Sequence, residues 1–283
     1  MFLACVIEFF EKYVSETFSQ IVKQRSFRCM SKVALITGGG VGIGRGIALE
    51  MAKAGYDIAL HCNSSVEPAY EMQEIIRTFG QRCEVIQANL TILEDLRAMF
   101  ARTDGFFGRL DVFVGNAGLT LKARLEDMSE SDFDLMTALN FKGNYFGIQE
   151  ASRLMRSRQI CGSIVLIASN NAYMQHPMCS CYGALKIALV KLCRSAAVEL
   201  AGYRIRVNCI APGWTDTGTA RMGSREASYY HIPLRRWCTP EEIGQATLFL
   251  CGPYANSITG ATLPIDGGAS LQTETQEKYG YGE

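Results

Sequence analysis

Residues 33–55 read VALITGGGVGIGRGIALEMAKAG. The run VALIT (33–37) is short, apolar and rich in β-branched residues, the pattern of a buried strand. The segment TGGGVGIG (37–44) then packs five glycines into a turn. A helical-period stretch continues through IALEMAKAG, and Gly55 stands just past its last apolar position as a stop signal. Glycines permit positive φ and a close approach of backbone to a pyrophosphate. A helix N-terminus adds unpaired N–H groups and the positive end of a dipole. Any tight turn uses glycine, so the rest of the chain has to decide the reading.

The rest of the chain alternates. The segments DIALH (57–61), CEVIQ (83–87), DVFVG (111–115), GSIVLIA (162–168), RIRVNCI (204–210) and ATLPI (261–265) read as strands. Helical patterns lie between them at 67–80, 92–103, 130–156 and 180–201. A further helix opens at TPEE (239–242), with Thr239 as N-cap, Pro240 at the first helical position and Glu242 closing a capping box. Strict β-α alternation predicts an α/β fold, a doubly wound, mainly parallel sheet with helices on both faces, in a single domain spanning 31–283. Ligands of such sheets bind beyond the carboxyl ends of the strands.

Composition agrees. The chain has 283 residues, 48% hydrophobic and 20% charged, with Lys plus Arg and Asp plus Glu both at 28. That balance gives no pull toward nucleic acid or an anionic membrane. Eleven cysteines are scattered without a CxxC or zinc-ligand spacing, which predicts no metal site and free, mostly buried thiols in a reducing compartment, the cytoplasm. Residues 1–30 differ from the rest. Leu3, Ile7, Phe10, Val14, Phe18 and Ile21 recur at helical spacing, while Glu8, Glu11, Lys12 and Glu16 make the stretch too charged to span a bilayer. We read it as an extension outside the catalytic domain, either an amphipathic helix or a mis-set start ahead of Met30.

A second motif carries chemistry. In YGALK (182–186), Tyr182 and Lys186 are four residues apart and share one helix face, with Ser169 upstream at a strand end. A phenol titrates near ~10, and bringing one to about 7 takes roughly 4 kcal/mol of preferential phenolate stabilisation. A neighbouring ammonium can supply much of that in a shielded site. Taken singly, Ser169 reads as a strand-end hydroxyl, Tyr182 as packing and Lys186 as a solvated helix residue. Together, and downstream of a phosphate turn, they read as a proton donor with its tuning cation.

The spacing Thr37-Gly38-x-x-x-Gly42-x-Gly44, with GNAG (115–118), Asn140 in LNFKG, Ser169, Tyr182-x-x-x-Lys186, APGWTDT (211–217) and IDGG (265–268), resembles the short-chain dehydrogenase/reductase family over about residues 32–270. The resemblance implies a Rossmann-type sheet of seven strands and an NAD(P)-dependent oxidoreductase. It implies Tyr182 as general acid or base, Ser169 positioning the carbonyl oxygen, Lys186 holding the nicotinamide ribose and tuning Tyr182, and Asn140 anchoring a relay water. Cofactor contacts are implied at Thr37, Gly38, Gly42, Ile43, Gly44, Asn63, Ser64, Asn89, Leu90, Asn116, Ala117, Gly118, Pro212, Gly213, Thr215 and Thr217, with Tyr182 and Lys186. A homotetramer or homodimer is implied through the helices near 100–155 and 180–201.

Three positions depart from the family pattern: Gly115 stands for an asparagine, Asn89 for an aspartate and Val41 for a basic residue. At the end of the second strand, Cys62 occupies the place of the carboxylate that grips a ribose 2′-hydroxyl, with Asn63, Ser64 and Ser65 next in line. NADP(H) is therefore preferred, with NAD(H) open. The segment NNAYMQHPMC (170–179) and the loop 214–237 should wall the substrate. Asn170, Asn171, Gln175 and His176 suit a small polar carbonyl or alcohol, such as a sugar, polyol or oxo compound. Gly218 and Gly223, with Trp214, Tyr229 and Tyr230, suit a closing lid. The alternatives are a 3-oxoacyl thioester reductase and a non-catalytic, cofactor-sensing scaffold on the same fold.

Overall fold

The computed structural model describes residues 31–218 and 230–271, so the expectations for 1–30, Gly223 and Tyr229 lie outside the described residues. Strand β1 (Val33–Ile36) is wholly buried. It sends Val33 and Leu35 to one face of the sheet and Ala34 and Ile36 to the other, because successive strand side chains alternate. Both faces are therefore covered, and a continuous apolar run rather than an alternating one is what the sequence carries. The remaining strands are β2 (Asp57–Cys62), β3 (Cys83–Gln87), β4 (Val112–Gly115), β5 (Ser163–Ile167), β6 (Arg206–Pro212) and β7 (Thr262–Ile265). Their order is β3-β2-β1-β4-β5-β6-β7, and every pairing is parallel. The predicted seven-stranded, doubly wound sheet is what the chain forms.

Helices α1 (Gly42–Lys53), α2 (Val66–Thr78) and α7 (Pro240–Cys251) cover one face. Helices α3 (Leu93–Phe107), α5 (Gly143–Ser157) and α6 (Ser180–Leu200) cover the other. The Thr239 capping box of α7 is present with both of its hydrogen bonds. Chain order reverses between β1 and β4, which opens a crevice beyond their carboxyl ends.

Several boundaries differ from the sequence reading, among them the end of α3 at Phe107 rather than 103, and two have a local cause. The helical region 130–156 is α4 (Glu130–Met136), a π-turn at Thr137–Lys142, and then α5. The sixth strand starts at Arg206 rather than 204, because Arg204 adopts the left-handed conformation (φ 57°) and closes a short 3-10 turn first. Among the described residues no helix is long and apolar enough to cross a membrane.

Candidate active site

The glycine turn leaves β1 and enters α1 with Gly38 at φ 64° and Gly42 at φ 53°, a region costly for any residue with a Cβ. A Cβ at Gly44 would overlap the Gly38 carbonyl and lie 2.6 Å from Asn116 Nδ2, so the turn closes only around glycine there. The N-cap, Val41, offers no side-chain acceptor, and the first turn of α1 carries no acidic residue. Its N–H groups are thus available to an anion. This turn forms one wall of a cavity of about 740 Å³. A backbone cradle of this kind, uncapped and shaped by glycine, fits the diphosphate of a dinucleotide.

Thr37 and Asn116 form the scaffold behind the turn. Thr37 Oγ1 donates to Val114 O (3.1 Å) and accepts from the N–H groups of Asn116 (2.8 Å) and Ala117 (2.9 Å). Asn116 Nδ2 donates to Thr37 O at 2.8 Å. The GNAG segment is thereby bolted to the phosphate turn, and Asn116, Ala117 and Gly118 line the cavity beside Gly38 and Ile43. Gly115 has a physical reason: a Cβ there would overlap Asn144 Oδ1. Asn144 comes from α5, is buried, and donates to Asn140 O at 2.8 Å.

Ser169, Tyr182 and Lys186 converge on the same cavity. Ser169 lies just beyond β5 and caps the short turn Asn170–Ala172, its Oγ accepting from Asn171 N–H at 3.2 Å. Tyr182 and Lys186 lie in the first two turns of α6. Lys186 is 3% exposed, its Nζ donating to Ile167 O at 2.8 Å and lying 5.4 Å from the Tyr182 ring centre. Asn140 sits behind them in the π-turn. Its Nδ2 donates to Leu119 O (2.9 Å) and Met136 O (3.0 Å), and its Oδ1 accepts from Leu119 N–H (3.2 Å). Both amide hydrogens are engaged by backbone, and the residue does not line the cavity. Gly118 separates it from the lysine: a Cβ there would lie 2.5 Å from Asn140 Oδ1 and 3.6 Å from Lys186 Nζ.

At the end of β2, Cys62, Asn63, Ser64 and Ser65 line the cavity with no carboxylate among them. Asn89 does not line it, because its Oδ1 accepts from Thr91 N–H (3.1 Å) and Oγ1 (2.8 Å); its neighbour Leu90 does. Pro212, Gly213 and Thr217 close the far side, while Thr215 is buried and donates to Gly213 O at 3.1 Å.

One residue the sequence reading passed over is His61. It lines the cavity at 2% exposure, accepts from Gly38 N–H through Nδ1 (3.0 Å), and places Nε2 3.0 Å from Ala88 O. Gly39 N–H donates to the His61 carbonyl at 2.9 Å. Burial lowers the imidazole pKa from 6.5 to about 4, so it stands neutral with its hydrogen on Nε2. Its only sequence signal is a histidine near the end of a buried strand, just before the polar stretch 63–65.

The two segments expected to wall the substrate bring aromatic and basic groups together. Trp214 has His176 at 5.3 Å edge-on and His231 stacked at 6.5 Å between ring centres. Burial, with Lys122 and His231 nearby, lowers the His176 pKa. Cys179 and Cys181 are both buried, so neither thiol is open to oxidants from solvent in this conformation. Among the described residues, no cluster of three or more His, Cys, Asp or Glu side chains could hold a metal ion.

Comparison with known proteins points one way. A family model described as enoyl-(acyl carrier protein) reductase matches residues 39–270. The 3-oxoacyl-[acyl-carrier-protein] reductase FabG of Staphylococcus aureus is 36% identical over 244 residues, covering 84% of this chain and 98% of that protein. The structure of acetoin dehydrogenase YohF from Salmonella typhimurium superposes with a TM-score of 0.81 at 33% identity, covering 86% of this chain and 98% of that one. A short-chain dehydrogenase from Burkholderia cenocepacia in complex with NADP gives 0.80 at 31% identity, covering 85% and 98%. With the phosphate turn, the parallel sheet and these relatives agreeing, the chain belongs to the short-chain dehydrogenase/reductase family and is an NAD(P)-dependent oxidoreductase.

Proposed function

We propose that the chain transfers hydride between NADP(H) and a carbonyl or secondary alcohol of a small polar substrate, with Tyr182 as acid/base. The observation that carries this reading is the convergence of Ser169, Tyr182 and Lys186 on the cavity that also holds the glycine turn. Bound nicotinamide nucleotide supplies the hydride. In reduction, Tyr182 gives its phenolic proton to the carbonyl oxygen as negative charge builds there; in oxidation it takes that proton back. Ser169 donates to the same oxygen and orients it. Lys186, fixed by Ile167 O, keeps two further ammonium hydrogens for ribose hydroxyls. Asn140 accepts from Asn144 at its carbonyl and retains a second lone pair, through which it would anchor the relay water.

The lack of a carboxylate among Cys62, Asn63, Ser64 and Ser65 supports NADP(H), since nothing there repels a 2′-phosphate and the amide and hydroxyls can donate to it. The polar residues that follow Ser169 in the sequence, Asn170, Asn171, Gln175 and His176, support a small hydroxyketone, sugar or oxo compound, and the acetoin dehydrogenase YohF acts, by its name, on a compound of that size. A 3-oxoacyl thioester is the second reading, supported by the FabG relatives. A cytoplasmic homotetramer is the expected state by analogy.

The test is turnover of NADPH and NADH against a panel of diketones, hydroxyketones, sugar lactones and 3-oxoacyl thioesters, with cofactor binding tracked by fluorescence quenching. NADPH-dependent reduction of the small polar group supports the proposal. Tighter NADH binding overturns the cofactor preference. A kcat/KM highest for the thioester overturns the substrate class, and no turnover of any carbonyl leaves the scaffold alternative.

A further inference from the structure

The strands are all parallel, so their amino ends share the pole opposite the nucleotide crevice. A second cavity, of about 660 Å³, opens there. Lys32 precedes β1, Asp111 precedes β4, Arg204 and Arg206 flank the start of β6, and Tyr56 precedes β2; all five line it.

Its charge is unbalanced. Among the described residues Asp111 is the one carboxylate in the lining, and it is already engaged: Arg109 binds it through Nε (2.8 Å) and Nη2 (2.6 Å), and Val33 N–H donates to it at 2.8 Å. Lys32, Arg204 and Arg206 have no carboxylate partner among the described residues. Arg206 is partly buried, and its Nη1 reaches only neutral carbonyls, Leu250 O at 2.6 Å and Ile258 O at 3.3 Å. Burial lowers its pKa, as expected for a guanidinium taken from water without a counter-charge.

A second observation is independent of charge. Tyr56 also lines the cavity, and its hydroxyl, which has no hydrogen-bond partner among the described residues, is left open to a ligand there. An oxyanion is the ligand that would satisfy both features, accepting from the phenol and from the free edge of the guanidinium.

We propose that this cavity is a binding site for a small oxyanion, a phosphate or carboxylate group, held by Arg206 and the Tyr56 hydroxyl with Arg204 and Lys32 at its mouth. The site is separate from the nucleotide cavity and shares no lining residue with it.

The experiment is calorimetric titration of the full chain, saturated with NADP(H) so that the glycine turn cannot take the added anion. The probes are inorganic phosphate and succinate, at constant ionic strength. Saturable binding of either, one per chain with Kd below about 10 mM, supports the proposal, and the tighter probe says which oxyanion the site favours. The isosteric variant Tyr56→Phe should weaken it several-fold, and Arg204→Gln combined with Lys32→Gln should weaken it about tenfold or more. These positions are chosen because Arg206 also supports two backbone carbonyls. NADPH affinity should not change in either variant. Absence of saturable binding, or binding that all of these variants leave unchanged, overturns the proposal.

Discussion

His61 can hold its partners only as a neutral imidazole, since Nδ1 must accept from Gly38 N–H while Nε2 donates to Ala88 O. Protonation would set an N–H against the Gly38 N–H and release the first residue of the phosphate turn. Burial opposes that proton, lowering the pKa from 6.5 to about 4. The unfolded chain takes the proton near 6.5, the folded chain only near 4. Stability from this group is therefore complete above pH 6.5 and is lost as pH falls toward 4. At 1.36 kcal/mol per pH unit, the full loss is about 3 kcal/mol, and most of it is gone by pH 4.5. That is a large part of the 5–15 kcal/mol, roughly, that stabilises an ordinary domain. The perturbation is His61→Gln, which keeps an acceptor and a donor but cannot titrate. Urea denaturation between pH 4.5 and 7.5 should show the parent losing about 2–3 kcal/mol more than the variant over that interval. His176→Gln, at the other histidine whose pKa burial lowers, serves as the comparison. Parallel pH profiles for parent and His61→Gln would refute the clamp.

Gly44→Ala should abolish NADPH quenching, because the new Cβ overlaps the Gly38 carbonyl and the cradle must open; retained affinity would mean the turn has slack. Gly115→Ala should lower stability by about 1–3 kcal/mol through overlap with Asn144 Oδ1. In Gly115→Ala/Asn144→Ala that loss should shrink below the sum of the single changes, as urea melts of the four proteins would show.

The alternation of apolar runs and helical periods was enough to predict the parallel sheet, because a strand buried on both faces, such as Val33–Ile36, carries no competing pattern. The turn glycines were legible for a similar reason: positive φ and close approach leave few other residues. The rest depends on contacts far apart in the chain. His61 reaches Gly38 and Ala88, 23 and 27 residues away, so its part in the turn has no local signature. Gly115 reads as a lost asparagine until Asn144 is seen to fill the same space from another element. The π-turn at Thr137–Lys142 departs from α-helix by one hydrogen-bond register, which the composition of LNFKG does not encode. Asn89 has the right chemistry for a base contact, but its oxygen is turned into its own loop by Thr91.

The most direct measurement is kcat for Tyr182→Phe with NADPH and the best carbonyl of the panel, alongside NADPH affinity. Removing the phenolic hydroxyl should cut kcat by about 10²- to 10⁴-fold while the cofactor still binds, because the ring and the Lys186 anchor at Ile167 remain. Turnover equal to that of the parent enzyme would contradict Tyr182 as the proton donor.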